Sequence, residues 1–473
     1  MLSSPSRLAW VNPLVTFTHA CFILFIILSF TTPSWRDGPF SWWPLTHSPL
    51  LAGAPVTIGL FNLLPFFITG GWLLIQLRRP EQTTWQWGRF QTVLPLLGLT
   101  ILGSLSLEFE PTRRTLTHAG ALCLFWLVYL FCLNQRPRLA WPLAFIVVVQ
   151  GSLAIAQFAL QRDLGLVSLG ELPLNPAFEG ITVLYARDQP WLRAYGLTAH
   201  PNLLGAILAM MLLWLLPLIG QERKWRQWLL LVAITIGLLG LFVTFSRSAW
   251  LAFGCGLLIW LLGAKPWPKS RHSLLCLRPA WSWLPIGLLL VPLLLLLAFN
   301  YDLVLSRFLA LDTPIEAQSL NQRLADDRLA LQVIGRYPWF GVGLGNYVDV
   351  AREIEPEASR VHNVPLYVTA ESGILATGLW LWLMVSPFIW WWRGRASRRN
   401  PNLQPASPAL TSAQLAAWGA MIIMNMFDTM VWWSSNWQTA ILFALLVVQT
   451  TPGHQLTTSA SHHDYGSPES PLA

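Results

Sequence analysis

The constraint that dominates this sequence is repeated many times over: one apolar run follows another, each about as long as a bilayer is thick. A helix needs about 20 mostly apolar residues to cross the hydrocarbon core. Runs of that kind lie near 12–30, 55–76, 91–107, 116–134, 139–160, 202–220, 228–246, 248–264, 282–299, 364–390, 412–434 and 436–450. The stretch from Trp228 to Ala264 is too long for one helix, and Ser246-Arg247-Ser248 is its natural break. With 54% hydrophobic and 11% charged residues, the chain reads as an all-α, polytopic integral membrane protein of about twelve spans.

Basic residues are retained on the cytoplasmic side of a membrane. With the N-terminus inside, 17 of the 30 Lys and Arg residues fall on the inner side, against only four of the 22 acidic ones. That asymmetry implies an even number of spans and both termini in the cytoplasm. The net charge of +8 is then a topology signal, and no nucleic-acid partner is expected. The first apolar run lacks an A-x-A cleavage site and reads as an uncleaved signal-anchor. Paired tryptophans and the run Trp390 to Trp392 fall near span ends, as interfacial anchors do. Cys21, Cys123, Cys132 and Cys255 fall in expected helices and Cys276 on the inner side, so no disulfide framework is implied. No CxxC pair or HExxH motif occurs, and neither a metal nor a cofactor is expected.

This pattern divides the chain into nine spans over 1–300, a large outer loop over 301–363, three spans over 364–450 and a polar tail over 451–473 expected to be disordered. A loop of about sixty residues between apolar spans is usually functional. With the shorter outward segments it holds most of the unusual polar chemistry. Arg193, His200 and Asn202 close the loop over 161–202, where Pro201 suits the first position of a helix whose N-terminus favours an anion. His200 is a cap, a ligand or a base on this pattern. Arg247 sits in a hairpin of a few residues at the hydrocarbon boundary. It either snorkels to lipid phosphate or clamps an anion with its planar fork.

Within the large loop, Ser319-x-x-Gln322 fits a capping box for a helix over 321–334. Leu320, Leu324, Leu331 and Ile334 would form its apolar face, directed at the membrane surface or the bundle, and Arg323 and Asp327 an i,i+4 ion pair. Gly341, Gly343 and Gly345 alternate in a turn that follows a helix, so this is no dinucleotide fingerprint. Alternating glycines allow close backbone approach, whether to a phosphate or to helices. His362-Asn363 ends the loop, and a neutral imidazole is the side chain best suited to take a proton from a hydroxyl. Glu371, two and a half turns further, and Asp428, near the end of its helix, are carboxylates at membrane depth. Outward arginines, histidines and a helical cover suit a reaction on a lipid-borne phosphate or diphosphate.

Taken together, Arg193…His200-Pro-Asn202, Ser246-Arg247-Ser, Arg323…Pro338-Trp-Phe-Gly-Val-Gly-x-Gly345 and His362-Asn363…Glu371-x-Gly373 resemble the O-antigen ligase / O-antigen polymerase superfamily. The motif likeness spans about 191–378; the first five spans are similar in topology only. The resemblance implies a glycosyltransferase C-type fold in the bacterial inner membrane with its active site facing outward. It implies metal-free transfer of a glycan from an undecaprenyl-diphosphate-linked donor to a hydroxyl on a glycan, lipid or protein, as in lipopolysaccharide assembly. His362 would be the catalytic base, Arg193 and Arg247 would bind the diphosphate, and His200, Asn202, Arg323, Asn363 and Glu371 would support them. A polymerase and a protein O-oligosaccharyltransferase share these motifs. A lipid-linked-sugar flippase and a non-catalytic scaffold are the readings of a different class. The absence of a visible internal repeat weighs against the flippase.

Overall fold

The computed structural model describes residues 5–31, 41–45, 56–78, 85–105, 113–166, 169, 171–186, 189–219, 222, 224–263, 284–309, 314–399, 410–428 and 437–451. The first half holds α1 (Pro5–Thr31), α2 (Leu60–Arg78), α3 (Phe90–Leu105), α4 (Arg113–Gln135), α5 (Ala140–Leu160), α6 (Pro201–Leu215), α7 (Lys224–Val243) and α8 (Arg247–Gly263). The second holds α9 (Leu284–Phe299), α10 (Tyr301–Leu309), α11 (Pro314–Arg336), α12 (Tyr347–Ile354), α13 (Val364–Arg399), α14 (Ser412–Phe427) and α15 (Trp437–Gln449). Each expected span overlaps a helix. Among the described residues, five segments are long and apolar enough to cross a membrane on length and composition: Pro13–Thr31, Ala140–Leu160, Pro201–Leu218, Trp225–Val243 and Val364–Arg395. The chain is a mostly helical, multi-pass membrane protein.

Apolarity all round a helix, with no polar stripe to face solvent, marks a helix buried on every side. Every residue of α6 and of α15 is buried, so these two form the centre. Helices α5, α7, α8 and α14 pack around α6, while α4 lies along α15 and α3 along α13. Small residues set how closely they approach. Side chains at Gly237 and Gly240 would collide with Val147 and Gly151 of α5. Arg89, just before α3, is buried and donates to the Leu383 carbonyl (2.7 Å), Thr450 Oγ1 (3.2 Å) and Ser386 Oγ, binding α3 to α13 and the end of α15.

The helix that matters most for the site is α13, which is broken at Gly373 (φ 80°, ψ 176°). In a membrane, freed backbone groups cost several kcal/mol each unless protein satisfies them. Here the Gly-rich turn between α11 and α12 does so. Val342 N–H donates to Ala370 O (2.8 Å), Gly343 N–H to Glu371 O (2.9 Å), and Ile374 N–H to Pro338 O (2.8 Å). The Glu371 carboxylate closes the junction by accepting from Gly345 N–H (2.9 Å). Residues 341–348 are all buried as a result. A Cβ at Gly341 would fall on the Glu371–Ser372 backbone, and one at Gly373 on the Trp339 carbonyl. The alternating glycines therefore serve backbone packing in this turn.

Several expectations require correction. The fold is not purely helical: β1 (Ser41–Leu45) pairs antiparallel with β2 (Val56–Gly59), and β3 (Val183–Ala186) with β4 (Gln189–Leu192). The span expected from 55 begins as strand, and α2 starts at Leu60. Helix α11 begins at Pro314, a residue suited to a helix start, so Ser319 lies inside the helix and not at its cap. Its buried face is Asp326, Leu329, Ala330 and Val333, with Ile334 packed partly against the core; Leu324 and Leu331, expected on the apolar face, are 47% and 57% exposed. Among its described residues the loop, expected to contain short helices, holds α10, α11 and α12. Helix α14 stops at Phe427 with Asp428 as its C-cap, short of the expected 434. Beyond Thr451, the tail expected to be disordered lies outside the described residues, as do Cys276, Trp432-Trp433 and His462-His463.

The junction has a direct consequence. Gly341→Ala and Gly373→Ala should each destabilise the folded protein by about 1–3 kcal/mol, through overpacking and a left-handed backbone. Gly335→Ala should not, because nothing stands within reach of its Cβ. Melting of the detergent-solubilised variants checks this, with Gly335→Ala as the reference.

Candidate active site

The loop between α5 and α6 is organised from within by two buried side chains. Gln157 Oε1 accepts from Tyr195 N–H (3.0 Å) and Gly196 N–H (2.7 Å), and its amide donates to Glu171 (2.8 Å). Glu171 in turn accepts from Leu164 N–H and Leu166 N–H. The β3–β4 hairpin then delivers Arg193 to the end of α7, where Ala194 N–H donates to Val243 O (3.1 Å). Arg193 is buried; its Nε donates to Thr244 O (2.8 Å) and its Nη2 to Asn202 Oδ1 (2.6 Å).

Thr244 belongs to the turn between α7 and α8, which carries Arg247 as the first residue of α8. Arg193 is thus bound to the same turn that presents Arg247. Arg247 itself donates to the Arg307 carbonyl (3.0 Å), which ties α8 to α10. The hairpin is as short as the sequence implied, running through Phe245 at φ 47°.

Asn202 extends the network, its Nδ2 donating to Asp428 Oδ2 (2.8 Å) at the end of α14. His200 caps α6: Nδ1 accepts from Asn202 N–H (3.1 Å), while Nε2 lies 3.3 Å from Thr182 Oγ1. Both ring nitrogens are engaged in holding structure. Burial, with Arg193 nearby, lowers the His200 pKa to about 4, Asp428 opposing and His362 and Arg323 adding to the shift. His200 is therefore neutral at physiological pH and acts as a cap.

From the other side come α11 and the start of α13. Arg323, expected to pair with Asp327, instead donates to the Phe427 carbonyl (3.1 Å). Asn363 caps α13 by accepting from Leu366 N–H (3.1 Å) and reaches Met426 O (3.4 Å). Both thereby satisfy terminal carbonyls of α14, which have no partner within their own helix. His362 sits next to Asn363, its side chain 34% exposed while its Nδ1 is buried. Asp326 Oδ2 lies 3.9 Å from that Nδ1. Beside it, burial raises Asp327 above the usual carboxylate range; His362 and Arg323 counter this and Asp326 adds to it.

The structure thus gathers Arg193, His200, Asn202, Arg323, His362, Asn363 and Asp428 at one end of the bundle, with Arg247 on the turn that Arg193 grips. Glu371 is not among them; it belongs to the α13 junction. Among the described residues no three His, Cys, Asp or Glu side chains are grouped as a metal site requires. Asp326 was missed from sequence because it looks like one more charge on a solvated helix. The signal that marks it is its burial at 2% exposure.

Since neutral His200 is required by the folded loop, acid should loosen it. An unfolded chain takes up this proton near pH 6.5, the folded one only near 4, so the stability contributed is whole above 6.5 and declines between the two. Replacing His200 with Gln should flatten the fall in melting temperature across that interval. An unchanged pH slope would count against the buried neutral ring.

Comparison with known families bears on this same end of the molecule. A family model described as O-antigen ligase matches residues 231–381. That span runs from α7 to the middle of α13 and includes Arg247, Arg323, Asp326, His362 and the Gly373 break. Arg193, His200 and Asn202 precede it. No curated protein matches the chain. The family match and the motif resemblance fall on the same part of the chain: residues 231–381 are similar to the O-antigen ligase family.

Proposed function

We propose that this protein transfers a glycan from an undecaprenyl-diphosphate-linked donor to an acceptor hydroxyl, as an O-antigen ligase-type glycosyltransferase that needs no metal. The observation carrying this reading is the convergence of Arg193 and Arg247 on one turn, at the bundle end that also holds a half-exposed His362. A planar guanidinium matches phosphate oxygens with two parallel donors, and two of them offset the charge of a diphosphate. Arg193 is preorganised by Thr244 and Asn202, so little rearrangement is needed when charge builds on the leaving group.

The step is a displacement at the anomeric carbon. The acceptor hydroxyl gives its proton to His362 Nε2 as its oxygen bonds to that carbon. The bond from the carbon to the diphosphate oxygen breaks, and its electron pair goes to the diphosphate between the arginines. His362 then releases the proton to solvent. Asn202, Arg323 and Asn363 hold the walls, and His200 fixes the start of α6. In this reading about twelve helices in a glycosyltransferase C-type arrangement cross the bacterial inner membrane. Both termini are cytoplasmic by the distribution of basic residues, and the site opens outward.

Transfer assayed in membranes with a lipid-linked glycan should fall about 10²-fold or more in His362→Ala, and by a similar factor in Arg247→Ala. Immunoblots of the same membranes establish that the variants insert. Full activity in an inserted His362→Ala protein defeats the assignment. Envelope glycans of a deletion strain then identify the acceptor. Unattached full-length polymer marks a ligase, single repeats on their normal acceptor a polymerase, and unmodified glycoprotein with normal lipopolysaccharide a protein transferase.

A further inference from the structure

We infer that Asp326 is the positioning residue of His362, selecting the ring tautomer that exposes a basic Nε2 and compensating the imidazolium when the proton arrives. This rests on the reading of His362 as the base.

A carboxylate at 2% exposure in the middle of α11 is costly unless its oxygens are satisfied. Two neutral donors brace it: Ser359 Oγ–H to Oδ2 (2.8 Å) and Gln322 Nε2 to Oδ1 (3.3 Å). Tyr347 OH approaches the Asp326 backbone carbonyl (3.5 Å) and fixes the turn beneath. These contacts orient the group without neutralising it. Oδ2 then faces His362 Nδ1, a buried ring nitrogen with no hydrogen-bond partner. The separation of 3.9 Å is about 1 Å beyond a hydrogen bond, within reach of a small side-chain rotation.

Two facts about the ring set the direction of the chemistry. Its Nδ1 edge is enclosed, and its remaining exposure lies on the rest of the ring, so the Nε2 edge is left to meet an acceptor. A carboxylate at Nδ1 holds the proton there and leaves the lone pair on Nε2. When Nε2 takes the acceptor proton, the ring becomes a cation whose charge the adjacent carboxylate offsets. The other charged groups facing this ring are Asp327 and Arg323 from α11 and neutral His200 from the α5–α6 loop, with Arg193 and Asp428 behind it. Asp327 lacks the bracing of Asp326, its Oδ1 being buried without a partner.

Asp326→Asn tests this, because the amide keeps the volume and the Ser359 contact but carries no charge. Expected is a fall in kcat of about 10²-fold, with donor KM within about twofold and an unchanged melting temperature. Asp326→Glu should recover part of the loss. In a His362→Ala background the substitution should have no further effect, since the two act as one unit. Ser359→Ala, which loosens the carboxylate without removing it, should lower kcat by up to about tenfold. An Asp326→Asn protein with full kcat, or one that reduces the residual activity of His362→Ala by the same factor, overturns the inference. An active His362→Ala protein overturns the site reading itself, and this inference with it. An inactive His362→Ala beside a fully active Asp326→Asn overturns this inference alone.

Discussion

The insertion of the Gly-rich turn into the break of α13 is the interaction on which the rest of the structure depends. At Gly373 the helix gives up its own hydrogen bonds, and three backbone bonds plus the Glu371 carboxylate replace them from the 338–345 segment. Neither partner is stable alone in a bilayer, since each would leave polar backbone groups without partners. Because the turn joins α11 to α12, this anchorage determines where α11 lies over the bundle. The position of α11 in turn decides that Asp326 meets His362 and that Arg323 reaches the end of α14. A loop of this length would otherwise lose considerable entropy in holding one arrangement.

Around the site, backbone carbonyls and a neutral amide help to hold the arginines. Arg193 is held by a carbonyl and an amide, Arg247 by a carbonyl, and Arg323 by the carbonyl at the end of α14. The carbonyls orient the guanidinium groups. Asn202 bridges Arg193 and Asp428, accepting from the first and donating to the second. Burial keeps His200 neutral, so it adds no positive charge beside Arg193.

Much of this was legible in the chain. The apolar runs placed the helices because the bilayer's thickness sets a narrow length for each. Pro201 after His200 marked the start of α6, and Arg247 marked the turn between α7 and α8, each a local rule of helix ends. Local rules failed where neighbours decided. The capping box at Ser319 is sound in isolation, yet α11 continues through it to Pro314. The apolar face read from Leu324 and Leu331 is turned outward, because contacts with α12 and α13 bury the face carrying Asp326 and Val333. Two short hairpins went unseen because their strands are only four or five residues long.

By itself, then, the sequence determined a polytopic helical membrane protein, the approximate positions of its helices and a short roster of arginines and histidines between them. These follow from composition and from hydrophobic length, quantities that each segment carries alone. Only the tertiary structure decided that Arg193 binds the turn carrying Arg247, that Glu371 serves a helix junction and that Asp326 stands against His362. Those outcomes depend on pairs of residues up to some 55 positions apart in sequence, and backbone hydrogen bonding at the α13 break brings the last of them together.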